Sequence, residues 1–207
     1  VIGKLAGTAV WKRASKQISN NTLATHLKER AQTAQARISE KGSPQESLKE
    51  AARSVSRTYT LAYIQHAPME PRAAVAEWDR EKLTVWTGCD GPFRARNALA
   101  REFGIPENRV RVIVPDMGGG FGGKHTAEAA LEAARLARAT GRPVKVSWTR
   151  AEEFTWAYCR PAAVIECRAG LDEDGSITSW DFTNINAGGA AAETPYSISN
   201  TRIAAIP

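Results

Sequence analysis

The chain has 207 residues, enough for one large domain or for a domain with an appendage, and 43% of them are hydrophobic. Its formal net charge is +6, but no basic stretch is interleaved with aromatic residues in a nucleic-acid-binding pattern, so a nucleic-acid partner is disfavoured. The cysteines Cys89, Cys159 and Cys167 have no zinc or iron–sulfur spacing, and no apolar segment is long enough to cross a membrane.

The N-terminal quarter of the sequence has a helical pattern. A short strand is predicted from Gly3 to Trp11, and a helix from Asn20 or Asn21 to about Ser39, where Gly42 follows as a stop signal. A second helix is predicted to begin at Pro44, with apolar positions at Leu48, Ala51, Ala52 and Val55. We interpret residues 1–57 as a connecting helical segment that follows a preceding domain.

From residue 58 onward the pattern changes to strands mixed with two helices. The sequence predicts a strand over 58–64, a hairpin of 73–78 with 82–86, and a longer hairpin of 162–171 with 176–186. Helices are predicted over 92–103, ended by Gly104, and over 126–140, ended by Gly141; strands are predicted over 110–114 and 144–148. This mixture predicts an α+β fold of mixed sheets with packed helices.

A glycine-rich segment joins the strand over 110–114 to the helix over 126–140. Its glycines are Gly118, Gly119, Gly120, Gly122 and Gly123. Glycine lets the backbone take positive φ and approach a ligand closely, and a helix N-terminus adds partial positive charge. Because a plain turn needs only one or two glycines, the segment favours binding of a phosphate or oxyanion over mere packing.

Two nucleotide-binding motifs fit this segment only in part. A dinucleotide fingerprint needs an acidic residue about 20 positions later, but the first acids after the next strand are Glu152 and Glu153. A P-loop needs Ser or Thr after its lysine, and this chain has His125 after Lys124. We favour an exposed Lys124 over one that pairs with phosphate. A P-loop-like nucleotide-binding module and a non-catalytic interaction domain stay as alternatives.

Other polar residues near these motifs are candidates for a role. His66 and Glu70 could form an acid–base pair, but we favour hydrogen bonds that hold an irregular loop, since the prolines around them exclude a helix. Arg150, Glu152 and Glu153 either anchor a phosphate or partner, or form a solvated helix start. The sequence does not separate these two alternatives.

Several motifs along the chain match those of one known family and occur in the order found there. They are the segments 66–71, 83–88, 103–106, 110–124, 148–154 and 158–161. Over about residues 58 to 202 the chain resembles the molybdenum-cofactor-binding large subunit of the xanthine dehydrogenase and aldehyde oxidase family. It is most similar to the bacterial branch with isoquinoline 1-oxidoreductase and nicotinate dehydrogenase. Since the chain also begins with Val1, we expect a fragment of such a subunit.

The resemblance implies an oxidoreductase that hydroxylates an N-heterocycle or an aldehyde, with water as the oxygen source. It implies that residues 58–207 are the N-terminal part of the molybdenum-cofactor-binding domain. The residues implied to contact molybdopterin, in its cytosine dinucleotide form, are Gly118, Gly119, Gly120, Phe121, Gly122 and Gly123. No catalytic base and no metal ligand is expected within this chain, which alone should be inactive.

The same resemblance implies partners and a compartment. Iron–sulfur clusters are expected in a partner subunit, and the rest of the large subunit is expected to complete the substrate site. The compartment implied is the cytoplasm or, with an export signal, the periplasm.

The chain departs from the family pattern at two positions near the glycine segment. Asp90 stands where relatives often carry a glutamine that contacts a molybdenum oxo group, and a carboxylate there would be repulsive unless protonated or turned away. His125 stands where many xanthine-oxidising members have glutamate, so purine recognition of that kind is not expected.

Overall fold

A computed structural model describes Thr8, Val10, Lys12, residues 17–190 and residues 192–207. The strand predicted from Gly3 to Trp11 lies largely outside this part of the chain. One compact unit contains the described residues up to Ala62 together with Ala162–Pro207, and the other is Tyr63–Pro161. The boundary predicted between residues 57 and 58 falls inside a strand of the first unit.

Runs of strands are interrupted by α-helices along the described part of the chain. In order, they are α1 (Asn20–Ala31), β1 (Arg37–Lys41), α2 (Pro44–Glu50), β2 (Arg53–Leu61), β3 (Ile64–Gln65), β4 (Ala73–Asp79), β5 (Lys82–Thr87), α3 (Pro92–Phe103), a 3₁₀ turn (Glu107–Arg109), β6 (Val110–Ile113), α4 (Glu128–Thr140), β7 (Val144–Ser147), α5 (Arg150–Trp156), β8 (Cys159–Arg160), β9 (Ala163–Leu171), β10 (Ile177–Ile185) and β11 (Asn200–Ile206).

The first unit is built on a five-stranded mixed sheet with the strand order β1-β11-β10-β9-β2. Strands β10 and β11 are parallel, and the other neighbours are antiparallel. Helix α1 packs on this sheet through Leu27, which lies in an apolar cluster with Val164 and Ile185. The hairpin predicted from the Asp-Gly turn is confirmed, because β9 and β10 pair and Gly175 has a φ of +83°.

Two predictions for the N-terminal region are wrong. Helix α1 ends at Ala31, not near Ser39, since Arg37–Lys41 pairs with β11. Helix α2 ends at Glu50, and Val55 belongs to β2, which pairs with β9 over its whole length. In both places the ladder with a distant strand overrides a helical spacing of apolar residues.

The second unit has a four-stranded mixed sheet with the order β6-β5-β4-β7. The predicted hairpin of β4 and β5 is confirmed. Helices α3 and α4 pack against this sheet, through Leu99 and through a row of small buried side chains on α4. Both helices end where predicted, at Gly104 and Gly141, whose φ values of +63° and +64° are left-handed.

The predicted α+β class is confirmed by these two mixed sheets and their packed helices. Within the described residues, no helix combines the length and the apolar character that a membrane crossing needs.

Candidate functional site

The glycine-rich segment forms a tight loop between β6 and α4, entirely within the second unit. The amide of Gly123 donates to the carbonyl of Gly120 over 2.8 Å. The two residues inside that turn, Phe121 and Gly122, both have positive φ, at +51° and +85°, as in a type I′ turn. Gly119 also has a positive φ, of +86°. The backbone is therefore left-handed at three of these positions, and the phenylalanine has an unusual conformation for a bulky residue.

Most of the glycines have a structural explanation inside the chain itself. A Cβ on Gly118 would lie 2.6 Å from Cβ of Glu70, and a Cβ on Gly123 would lie 2.9 Å from Cβ of His66. Gly119 and Gly122 need the left-handed conformation. The number of glycines therefore does not by itself indicate a ligand. Evidence for binding has to come from the hydrogen-bonding and aromatic groups that the loop exposes.

The loop presents backbone donors and one aromatic ring. In the part of the chain that the structure describes, the amide N–H groups of Gly119, Gly120, Phe121 and Gly122 have no protein acceptor. The side chain of Phe121 is 76% exposed. Adjacent amide donors at left-handed backbone form a concave site for an acceptor, and an exposed ring beside them can pack on a planar group. This combination suits an electron-rich ligand with a flat ring system.

Lys124, the residue that follows the last glycine of the loop, is buried beneath it. The sequence favoured an exposed lysine, and this prediction is wrong, because Lys124 is only 1% exposed. Its Nζ lies 2.6 Å from Oε2 of Glu70, and that same oxygen accepts the amide of Gly118 over 3.0 Å. Desolvation by burial raises the pKa of Glu70, but the hydrogen bonds from Lys124 and Gly118 and the lysine charge outweigh it and lower this pKa.

A second buried cation, Arg72, holds the other side of the loop. Its guanidinium donates to the carbonyl of Gly123 and pairs with Oε2 of Glu153 over 2.8 Å. It also pairs with Oε2 of Glu128 over 3.2 Å, and its backbone N–H donates to Oε1 of Glu153 over 2.5 Å. Arg72 was not among the residues predicted from the sequence, although it is a charged residue placed between Pro71 and the apolar strand β4. Buried charges of this kind persist only when they are paired.

The other predicted candidates also bond within the protein. The expectation that His66 and Glu70 hold an irregular loop agrees with the bonds of Glu70 to Lys124 and Gly118, and with His66 Nδ1 lying 3.3 Å from the carbonyl oxygen of Tyr158.

The sequence left two alternatives for Arg150, Glu152 and Glu153, an anchor for a phosphate or partner or a solvated helix start, and the structure gives a different answer for each residue. Glu152 is part of a helix start, since its carboxylate bonds the backbone N–H of Thr149 over 2.7 Å. Glu153 is completely buried, so for this residue both a solvated helix start and a phosphate anchor are wrong. Arg150 donates to the carbonyl groups of Pro68 and Met69, and thereby ties α5 to the segment that carries Glu70.

The two residues that depart from the family pattern contact each other. Nδ1 of His125 lies 2.7 Å from Oδ2 of Asp90. An imidazole therefore engages the carboxylate of Asp90. The backbone N–H of Asp90 donates to the carbonyl of Lys124 over 3.3 Å, so the main chain of Asp90 is also joined to the loop.

The geometry does not fit a P-loop. In that motif the lysine reaches the phosphates and the helix begins directly after it. Here Lys124 is bonded to Glu70, and α4 begins at Glu128 rather than at Thr126 as predicted. The first turn of α4 is already occupied by a carboxylate, because Glu128 lies within it and bonds Arg72. A contribution of this helix N-terminus to anion binding is therefore not supported.

A metal-ligand cluster is absent from the described residues: no group of three or more His, Cys, Asp or Glu side chains there could hold a metal ion.

Comparison with known proteins defines the class. The molybdopterin cofactor-binding domain family matches residues 26–206, and the chain belongs to this family. The described loop, with its unpaired amides and exposed Phe121, lies inside the matched range.

Particular relatives can be named within that class. The chain is 41% identical to the aldehyde oxidoreductase molybdenum-binding subunit of Escherichia coli K12 over 147 residues, which are 70% of this chain and 20% of that protein. It is 31% identical to a nicotinate dehydrogenase subunit of Pseudomonas putida over 148 residues, which are 72% of this chain and 12% of that protein. The chain thus spans only a fifth or less of these relatives.

A solved structure agrees with the sequence relatives. Quinoline 2-oxidoreductase from Pseudomonas putida 86 superimposes with a TM-score of 0.70 at 26% identity, over 83% of this chain and 25% of that one. The chain therefore shares the fold of about a quarter of quinoline 2-oxidoreductase.

Proposed function

We propose that Gly118, Gly119, Gly120, Phe121, Gly122 and Gly123 contact the molybdenum cofactor in a molybdenum hydroxylase. The observation that carries this proposal is the row of amide N–H groups from Gly119 to Gly122 without protein acceptors, beside the exposed ring of Phe121. Four adjacent donors match the oxygen, nitrogen and sulfur acceptors of a pterin and of the ligands on its metal. The chain belongs to the molybdopterin cofactor-binding domain family, and this membership supports molybdopterin as the ligand of the loop.

The residues beneath the loop would keep these donors in a fixed arrangement. Glu70 and Lys124 hold one side and Arg72 holds the other, so the amides do not need to reorganise when charge on the bound group changes. The molybdenum cofactor, when bound, supplies the redox chemistry, and the protein supplies binding and orientation. We assign no catalytic base and no metal ligand to this chain.

The names of the relatives support a proposal for the substrate class. Those proteins are an aldehyde oxidoreductase subunit, a nicotinate dehydrogenase subunit and a quinoline 2-oxidoreductase. We infer oxidation of an aldehyde or an N-heterocycle with oxygen from water. We further infer that the cofactor is the cytosine dinucleotide form and that a partner subunit carries the iron–sulfur clusters. The rest of the large subunit would complete the substrate site, and the enzyme would act in the cytoplasm or the periplasm.

Metal and nucleotide analysis of the complete large subunit, purified with its iron–sulfur partner, tests this proposal. We expect molybdenum in equimolar amount with the subunit and release of CMP on acid hydrolysis. Phe121→Ala should lower the molybdenum content, and Phe93→Ala, a matched change at a ring that is 71% exposed on α3, should leave it unchanged. A molybdenum-free active complex, or equal molybdenum in both variants, would contradict the proposal.

A further inference from the structure

Two of the three histidines in the chain converge on one glycine of the loop. A methyl group placed on Cα of Gly122 would lie 3.7 Å from Nε2 of His66 and 3.7 Å from Nε2 of His125. The two nitrogen atoms are thus separated by no more than twice that distance. Because Gly122 has no side chain, nothing of its own fills the space toward which both imidazoles point.

Each imidazole is oriented by a bond at its other nitrogen. Nδ1 of His125 lies 2.7 Å from Oδ2 of Asp90, and Nδ1 of His66 lies 3.3 Å from the carbonyl oxygen of Tyr158. Carboxylates and carbonyl groups accept hydrogen bonds, so Nδ1 carries a proton in both rings. The ring of Tyr158 also stacks on His66, with the centroids 5.9 Å apart. Nε2 of each ring lies beside the turn, and neither Nε2 has a hydrogen-bond partner among the described residues.

Three other charged residues around the loop are bonded within the protein. Lys124 and Glu70 bond each other, and Arg72 bonds Glu153, Glu128 and the carbonyl of Gly123. A group bound at Gly122 would therefore meet loop amides, which only donate, and two Nε2 atoms, which donate when the ring is protonated and accept when it is neutral. Oxygen atoms of an anionic group match this set, because they accept hydrogen bonds and, where protonated, donate one.

We propose that His66 and His125 form a two-imidazole site that binds an anionic oxygen group of the cofactor at Gly122, with Asp90 as the positioning residue for His125. The site deepens the proposed function and rests on it. It also gives a role to the pairing of Asp90 with His125, since the carboxylate that would repel an oxygen anion instead orients an imidazole toward it.

Modification by diethyl pyrocarbonate, which reacts with accessible imidazole nitrogen, tests the site. The complete large subunit with its iron–sulfur partner is compared in cofactor-loaded form and in cofactor-free form, and each histidine is followed by mass spectrometry. His66 and His125 should react about tenfold or more slowly in the loaded form, as expected for a nearly saturated site. His26, on α1 in the other unit, is the internal control and should react equally in both forms.

The outcomes separate this site from the proposed function. If the complex contains molybdenum but His66 and His125 react equally in both forms, the two-imidazole site is wrong while the cofactor assignment stands. If the complex contains no molybdenum, the proposed function itself fails. If inorganic phosphate alone protects both histidines of the cofactor-free subunit as strongly as the cofactor does, the assignment to the cofactor is overturned in favour of a general anion site.

Variants of Asp90 test its positioning role. In Asp90→Ala, His125 should lose its protection in the loaded form while His66 keeps it. Asp90→Asn retains an oxygen that can accept from Nδ1 and should restore the protection of His125. Full protection of both histidines in Asp90→Ala would overturn the role of Asp90.

Discussion

Nζ of Lys124 lies 2.6 Å from Oε2 of Glu70, and the lysine is almost completely buried. Since the same carboxylate oxygen accepts the amide of Gly118, one side chain fastens both ends of the glycine loop. This arrangement explains how a segment with so many glycines, which are entropically costly to order, is held in one conformation.

Removal of the Glu70 charge should destabilise the protein. Glu70→Gln leaves a buried ammonium without its counter-charge, and a broken buried pair costs about 3–5 kcal/mol. Because the side chain of Glu70 is 40% exposed, water screens the pair, and we expect a smaller loss of about 1–3 kcal/mol. Urea denaturation followed by tryptophan fluorescence measures it.

A matched control exists at an exposed pair. Glu81→Gln removes the partner of Arg109, where the carboxylate is 74% exposed, and should change the free energy of unfolding by no more than about 1 kcal/mol. Equal effects of the two substitutions would contradict the role assigned to Glu70.

The Glu70 contribution should depend on pH. Its pKa in the folded state is lowered from 4.5, because the bonds from Lys124 and Gly118 and the lysine charge outweigh desolvation. A lowered pKa means that the stabilisation is present above about pH 4.5 and is lost as the pH falls through the folded-state pKa. The stability difference between the wild type and Glu70→Gln should therefore be full at pH 7 and shrink below pH 4.5, in denaturation curves recorded across that range. A difference that grows on acidification would have the wrong sign.

Arg72 should be more sensitive than an ordinary surface arginine. Arg72→Met leaves Glu153, which is completely buried, without its cation, and should cost about 3–5 kcal/mol. Arg135→Met removes an exposed pair with Glu102 and should cost less than about 1 kcal/mol. Chemical denaturation of both variants checks the comparison, and a mild effect of Arg72→Met would show that this buried pair is dispensable.

Because Gly118 packs closely against Glu70, a larger residue at this position should disturb the loop. In Gly118→Ala the new methyl group would lie 2.6 Å from Cβ of Glu70, so the loop must move away from that residue. In Gly91→Ala the methyl group would lie 3.5 Å or more from its nearest neighbours, which is an ordinary contact. Gly118→Ala should lower both the melting temperature and the molybdenum content of the complete subunit, whereas Gly91→Ala should preserve the molybdenum content. Normal loading of the Gly118→Ala subunit would contradict this view of the loop.

Local signals in the sequence predicted a large part of the fold. Gly104 and Gly141 end their helices, and the Asp-Gly turn joins β9 to β10, because each of these features depends on a few adjacent residues. The sequence missed β1 and the first part of β2, whose partners β11 and β9 lie more than one hundred residues further on, whereas the strand predicted over 58–64 overlaps the end of β2. Every residue of these two strands is exposed, so neither strand has a buried apolar face that would mark it in the sequence.

The sequence predicted where the candidate site lies in the chain, but it did not predict the contacts that hold the site together. The glycine segment was identified as a loop between a strand and a helix, yet most of its glycines serve backbone conformation and close packing. The burial of Lys124 was missed because Glu70 lies 54 residues earlier in the chain. Asp90 and His125 each differ from the family pattern, but nothing in the sequence indicated that these two residues contact each other.

Amide hydrogen exchange at Gly119, Gly120, Phe121 and Gly122 tests most directly whether this loop binds the cofactor. These amides have no protein acceptor in the described part of the chain, so a bound acceptor is what would protect them. We predict exchange at least about tenfold slower in the cofactor-loaded subunit than in the cofactor-free subunit. Equal exchange at these four amides in the two forms, with molybdenum present in the loaded one, would contradict the assignment of this loop.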